Sequence, residues 1–181
     1  MFQPIDWSRF PQDFPATFVI STVCILMFLA YHLGLMAPQI SLPGILSVGA
    51  YTAHFFHASP LHLLSNMIII IFMGVLLERH LGWWRYTLLV LLVWNLTVLG
   101  LFLVNPYPAL GFSGIGLGLM VLAYFYWQDV PQNAQMLGVL IVINILFGLM
   151  PGVSWHGHLM GAISGVIVYG IIRLAQIGQK H

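Results

Sequence analysis

Of the 181 residues in this chain, 60% are hydrophobic and 5% are charged, whereas soluble domains carry about 25% charged residues. Five basic and four acidic residues leave a formal net charge of +1, and they form no charged run. This composition excludes a soluble globular domain, predicts lipid as the solvent, and indicates no nucleic-acid partner.

The apolar runs are long and do not alternate with polar residues, which favours transmembrane helices over the strands of a barrel. Prolines and glycines separate these runs. The six predicted spans are residues 16–36, 61–77, 86–104, 112–127, 136–149 and 158–174. The predicted fold is therefore an all-α, polytopic membrane protein, a six-helix bundle that forms one domain over residues 1–181.

The first predicted span follows Arg9, an arrangement that a cleaved secretory signal also has. Its apolar run is long, and no small-x-small cleavage site follows it, so we expect an uncleaved membrane anchor. Cys24, the single cysteine, lies in this span. An intrachain disulfide is therefore excluded.

The second predicted span begins with a histidine and an asparagine on one helical face. His62 and Asn66 are four residues apart, so both side chains can point toward the same place. Two donors arranged in this way suit the oxyanion of a reaction intermediate. The alternative is a pair that hydrogen-bonds to a neighbouring helix, as such residues often do in membranes. His57 and Ser59, just before this span, fit a loop or a helix N-cap.

Small residues surround a serine at the start of the fourth predicted span. Gly111 and Gly114 flank Phe112 and Ser113, and glycines let another backbone approach closely and leave N–H groups able to face a substrate oxygen. The alternative is helix packing, because Gly114 and Gly118 have the four-residue spacing of small residues at helix contacts. The two interpretations are compatible, since a serine reaches a base on another helix only if the helices lie close together.

A histidine and two glycines share one face of the sixth predicted span. Gly161 and Gly165 lie three and seven residues after His158, and this spacing suits a close approach to the fourth span. Neutral His158 could accept the Ser113 proton as a general base near neutral pH. The alternative is a histidine that hydrogen-bonds across the bundle. His156 is about 200° away around the helix, so we do not expect it to share the task.

The basic residues predict the orientation of the six spans. All five fall at the N-terminus, between the second and third spans, or at the C-terminal end: Arg9, Arg79, Arg85, Arg173 and Lys180. By the positive-inside rule these places face the cytoplasm, so both termini are predicted inside. The connections at 37–60, 105–111 and 150–157 are predicted outside. The second, fourth and sixth spans then enter the membrane from the outer face, where the serine, the histidines and the asparagine would converge.

A third, acidic member of a catalytic group is not expected. The four acidic residues all map to the inner side: Asp6, Asp13, Glu78 and Asp129. A serine-histidine dyad remains possible, whereas a Ser-His-Asp triad does not. Five histidines map to the outer side and keep a metal or haem site open as an alternative: His54, His57, His62, His156 and His158. Against a metal site, the chain has no H-E-x-x-H motif and no outer carboxylate.

Four motifs, in this order, resemble those of the rhomboid family of intramembrane serine proteases. They are His57-x4-His62-x3-Asn66, Gly74-x3-Glu78-x3-Gly82, Gly111-Phe112-Ser113-Gly114 and His158-x2-Gly161-x3-Gly165. The first two lie at the start and end of the second span, and the others begin the fourth and sixth spans. The resemblance covers the chain from the first span to the sixth.

The resemblance implies a Ser113 nucleophile and a His158 general base and acid. The implied oxyanion donors are the side chains of His62 and Asn66 and the backbone N–H of Ser113. The glycines that would support the site are Gly111, Gly114, Gly161 and Gly165. The implied substrates are transmembrane segments of membrane proteins, cut near the outer face without a cofactor or a metal ion. Glu78 is expected to be structural.

A six-span chain of this kind resembles bacterial members, which predicts the inner membrane and a site that opens toward the periplasm or cell exterior. Two features depart from the family pattern. Leu117 stands four residues after the serine, where family members commonly carry a tyrosine packed on the catalytic histidine, so the resemblance leaves open what orients His158. The first outer loop is short and lacks the family's Trp-Arg pair. The main alternative is a rhomboid-like pseudoprotease that binds transmembrane helices without cutting them.

Overall fold

The computed structural model describes residues 4–38, 47–104, 109–150 and 152–178. Its six long helices are α1 (Pro15–His32), α2 (Pro60–Leu81), α3 (Trp83–Val104), α4 (Ser113–Tyr126), α5 (Pro131–Phe147) and α6 (Trp155–Gly178). The shorter helical segments are Trp7–Arg9, Phe10–Asp13, Val48–Thr52 and Ala53–Phe55. The described ranges contain no strand, which confirms the all-α class.

Glycines set two helix ends that differ from the predicted bounds. α1 ends at His32 instead of residue 36, because Gly34 has a φ of 72°, a left-handed conformation that stops the helix. α2 continues past the predicted end at 77 to Leu81, and it stops where Gly82 has a φ of 78°. The apolar pattern therefore located both helices, whereas the backbone conformation of glycine decided where they end.

The predicted outer connections are only partly described. Residues 39–46 of the first, residues 105–108 of the second and residue 151 of the third lie outside the described residues, as does Lys180. The rest of the first connection contains the helical segments Val48–Thr52 and Ala53–Phe55, which its sequence pattern did not predict.

Within the part of the chain that the structure describes, four helices are long and apolar enough to cross a membrane: Pro15–His32, Pro60–Leu81, Trp83–Val104 and Trp155–Gln176. α4 and α5 are apolar but have 14 and 17 residues. At a rise of about 1.5 Å per residue they are roughly 21 and 25 Å long, less than the hydrocarbon thickness of about 30 Å. The chain is thus an integral membrane protein, and the count of six spans stays a prediction.

The central helix of the bundle is α4, in which every residue from 114 to 123 is buried. It packs most extensively against α6, and glycines bring the two backbones into contact. A Cβ atom added at Gly114 would lie 2.5 Å from the carbonyl oxygen of Gly157. One added at Gly118 would lie 2.6 Å from the carbonyl oxygen of Gly161. The close approach that the small-residue spacing predicted is therefore present.

Glu78 joins α1 to α2 at one end of the bundle. Its buried carboxylate accepts hydrogen bonds from the backbone N–H groups of Ala16 and Thr17, each at 2.9 Å. It also accepts one from the Thr17 hydroxyl at 2.6 Å. The carboxylate thus caps the first turn of α1, whose N–H groups have no acceptor within the helix. Glu78 lies about 24 Å along α2 from His62, so its role is structural.

Candidate active site

Ser113 is the first residue of α4, and Gly111 shapes the chain just before it. Gly111 has a φ of 92°, which favours glycine, and Phe112 caps the helix without a side-chain hydrogen bond. The first N–H groups of a helix have no acceptor within it. Because these groups and the helix dipole attract negative charge, the Ser113 N–H is suitably placed for an oxyanion.

His158, on the first turns of α6, hydrogen-bonds to Ser113 across the contact between α4 and α6. The distance from Ser113 Oγ to His158 Nε2 is 3.0 Å. The histidine is buried at 4% exposure, whereas the serine is half-buried and so partly accessible. The serine and the histidine thus lie within the hydrogen-bonding reach that a nucleophile and its base would need.

The other ring nitrogen of His158 is held by α5. His158 Nδ1 lies 2.8 Å from the backbone carbonyl oxygen of Asn144. Because a carbonyl can only accept, Nδ1 carries the proton, and Nε2 of the neutral ring is left to accept from the Ser113 hydroxyl. This is the tautomer that a general base needs. Leu117, at the position of the family's tyrosine, is fully buried.

His62 and Asn66 lie against Gly111, two residues before the serine. A Cβ atom added at Gly111 would lie 2.5 Å from His62 Nε2 and 3.7 Å from Asn66 Nδ2. His62 Nδ1 accepts a hydrogen bond from the Ala58 N–H at 3.4 Å, so Nε2 carries the ring proton and can donate. The structure thus brings both predicted donors beside residues 111–113, the serine loop. Only glycine at position 111 leaves room for them.

The side chain of Asn66 is fixed within α2. Its Nδ2 donates to the His62 carbonyl oxygen at 2.9 Å. Its Oδ1 and the Nε2 of His57 are both buried and have no hydrogen-bond partner among the described residues. The His57 ring meets the His62 ring edge to face, with centroids 5.0 Å apart. Burial, aided by the charge of His62, lowers the pKa of His57 to about 4, so His57 is neutral at neutral pH.

The start of α2 confirms one sequence-based assignment. The hydroxyl of Ser59 accepts a hydrogen bond from the backbone N–H of His62 at 3.2 Å. Ser59 is therefore the N-cap of α2, and it orients the first turn that carries His62.

Residues 53–55 form a brace on the serine loop that sequence reasoning missed. The Gly111 N–H donates to the Ala53 carbonyl oxygen at 3.3 Å, and His54 Nδ1 donates to the Gly111 carbonyl oxygen at 3.2 Å. The Phe55 ring packs on Phe112, with centroids 6.1 Å apart. Burial lowers the pKa of His54 to about 4, so this donor is neutral at neutral pH. The brace thus holds the backbone of Gly111 and Phe112 from the connection between α1 and α2.

Loss of the His54 donor should loosen this brace. For the protease reaction that the motifs predict, we expect His54→Ala to lower kcat by about tenfold, because displacing the serine loop by a fraction of an ångström would misalign Ser113 and His158. His54→Asn keeps a side-chain N–H near the Nδ1 position and should recover part of the rate. The exposed His156 provides the control, and His156→Ala should leave kcat unchanged. A wild-type kcat for His54→Ala would show that the brace does not position Ser113.

Among the described residues, no three His, Cys, Asp or Glu side chains come together as a metal site would require. His156 is exposed and lies outside the Ser113–His158 pair.

Comparison with known proteins points to one family. A family model described as the Rhomboid domain matches residues 47–175. The Rhomboid-type serine protease 2 of Emericella nidulans is 30% identical over 122 residues, which cover 62% of this chain and 24% of that protein. The Rhomboid-like protein 15 of Arabidopsis thaliana is 33% identical over 156 residues, which cover 72% and 38%.

A further relative, an uncharacterized protein of Mycobacterium tuberculosis, is 30% identical over 136 residues, which cover 66% of this chain and 56% of that protein. The chain thus spans about a quarter to somewhat over half of the length of these relatives. The fold defines an all-helical integral membrane protein with a hydrogen-bonded serine and histidine between its helices. The extent of the domain match shows that this chain belongs to the rhomboid family.

Proposed function

We propose that this protein is an intramembrane serine endopeptidase that cleaves transmembrane segments of other membrane proteins. The observation that carries the proposal is the hydrogen-bonded series from Ser113 Oγ through the His158 ring to the Asn144 carbonyl, with distances of 3.0 and 2.8 Å. A relative whose name includes serine protease supports the same reaction class.

In the proposed mechanism, Ser113 Oγ attacks the scissile carbonyl carbon while His158 Nε2 takes its proton. The negative charge on the carbonyl oxygen is stabilised by the Ser113 N–H and the side chains of His62 and Asn66, and the loss of one such donor typically costs about 3 kcal/mol. The imidazolium then gives its proton to the leaving amine. Water, activated by His158, hydrolyses the acyl-enzyme, and no cofactor or metal ion takes part.

The substrate class follows from the position of the site among apolar helices. Ser113 begins the short helix α4, which is about 21 Å long, so its hydroxyl would lie below one membrane surface and not at it. A peptide bond in or near a transmembrane segment can reach that depth. Water has to reach the same depth through polar residues at the mouth of the site.

The proposed orientation places this mouth on the outer side of a bacterial inner membrane. We infer six spans in one domain over residues 1–181, with both termini in the cytoplasm. In support, Arg79 and Arg85 lie at the end of the bundle opposite to Ser113, and the adjacent Trp83 and Trp84 are exposed. Basic and aromatic side chains of this kind are typical of a cytoplasmic membrane interface.

A cleavage assay with detergent-purified protein and a model transmembrane substrate tests the proposal. We expect the wild type to cleave the substrate and Ser113→Ala to leave it intact. Cleavage by Ser113→Ala would rule out this nucleophile.

One observation favours a second function, a pseudoprotease that binds transmembrane helices without cutting them. Leu117 replaces the tyrosine that commonly packs on the catalytic histidine of the family. If the wild type co-purifies with the substrate helix but never cleaves it, the pseudoprotease is the correct assignment. Cleavage that depends on Ser113 excludes it.

A further inference from the structure

α5 is the least buried helix of the bundle. Of its residues, all of them described, only Leu137 is buried. The helix packs against α4 and, less extensively, against α6. It contributes little to the core, yet its C-terminal end reaches the catalytic histidine.

The backbone carbonyl of Asn144 accepts hydrogen bonds from two donors at the C-terminal end of α5. It accepts the Gly148 N–H at 3.1 Å and His158 Nδ1 at 2.8 Å. Asn144 belongs to the last turn of α5, where the helix dipole is negative. A positive imidazolium is stabilised in such a place.

Gly148 makes this contact possible. A Cβ atom at this position would lie 3.2 Å from His158 Nδ1, 3.4 Å from its Cγ, and 3.0 Å from the carbonyl oxygen of Ile145. Any larger residue would therefore have to displace either the imidazole ring or the last turn of α5.

We propose that the last turn of α5, from the Asn144 carbonyl to Gly148, is the positioning element of the general base, and that catalysis requires α5 to be docked on His158. The inference rests on the proposed protease function and deepens it. The carbonyl selects the Nδ1–H tautomer and stabilises the imidazolium that forms when Ser113 gives up its proton. In Ser-His-Asp enzymes an aspartate has this task.

Gly148→Ala tests the contact, and Gly138→Ala is its matched control on the same helix. A Cβ atom at Gly138 would lie at an ordinary 3.5 Å from Tyr124, so both variants add one methyl group but only the one at position 148 meets His158. We expect Gly148→Ala to lower kcat about tenfold or more at an unchanged KM. Gly138→Ala should cleave like the wild type. Equal kcat values for the two variants would overturn the proposal.

A backbone substitution tests the carbonyl without changing a side chain. Replacing Ile145 by its α-hydroxy acid turns the Asn144 carbonyl into an ester carbonyl, a weaker acceptor. The same replacement at Ile143 weakens the Val142 carbonyl and serves as the control. We expect only the first ester to lower kcat and to shift the NMR signal of the His158 Nδ1 proton. An unchanged signal would overturn the inference even if the wild type proved to be no protease.

Discussion

His158→Ala is expected to slow proteolysis by about four orders of magnitude, because Ser113 then has no base to accept its proton and no acid to protonate the leaving amine. The effect is expected for this histidine because its Nε2 lies 3.0 Å from Ser113 Oγ. A fluorophosphonate probe measures the same step without a peptide substrate. It should label Ser113 in the wild type and label it much more slowly in His158→Ala.

Two controls make the labelling experiment decisive. Ser113→Ala should remove the label, and His156→Ala, which changes an exposed histidine two residues away, should label like the wild type. Labelling of another serine, or equal labelling rates in His158→Ala and wild type, would contradict the proposed dyad.

The placement of the candidate site was predictable because three separate patterns point to one place. The distribution of arginines predicts the orientation of the spans, the apolar runs locate the helices, and the motifs then fall at three helix starts. The spacing of His62 and Asn66 predicted a shared face, and both side chains do lie against Gly111. The contact between α4 and α6 was predictable for a similar reason, since glycines recur four residues apart on each helix, at 114 and 118 and at 161 and 165.

The groups that position the catalytic residues were not predictable from the sequence. Every residue has a backbone carbonyl, so nothing in the sequence marks the one at Asn144 as the acceptor for His158. The bond depends on where α5 ends relative to α6, which is a tertiary property. The brace at Ala53 and His54 was missed because it comes from a short helical segment within an outer connection. Such a segment has too few residues for a periodic pattern.

The length of the helices limits what hydropathy can decide. α4 and α5 are apolar but too short to match the full hydrocarbon thickness, so composition alone does not establish six spans. Their shortness nevertheless fits the site. The N-terminus of α4 carries Ser113 and the C-terminal turn of α5 carries the Asn144 carbonyl. Each short helix therefore has one terminus at the place where the chemistry is proposed to occur.

Gly161→Ala should have the second-largest effect, because it acts on the contact that brings Ser113 to His158. A Cβ atom at Gly161 would overlap the backbone carbonyl of Gly114, and a backbone cannot rotate away as a flexible side chain can. The two helices must separate, at a cost of about 1–3 kcal/mol of folding free energy. A separation of roughly 1 Å also breaks the hydrogen bond of the dyad, so cleavage should fall about a hundredfold.

Gly170→Ala is the matched control, since it makes the same substitution on the same helix where no atom lies within 4 Å of the added Cβ. Both variants gain about 1 kcal/mol of helix propensity, so any difference between them measures the contact between α4 and α6. Thermal unfolding in detergent should show a lower Tm for Gly161→Ala and an unchanged or higher Tm for Gly170→Ala. Equal Tm and cleavage rates would mean that the helices can separate without cost, and the dyad would then not depend on glycine packing. A lower cleavage rate at an unchanged Tm would instead show that the glycines act on the alignment of Ser113 and His158 more than on stability.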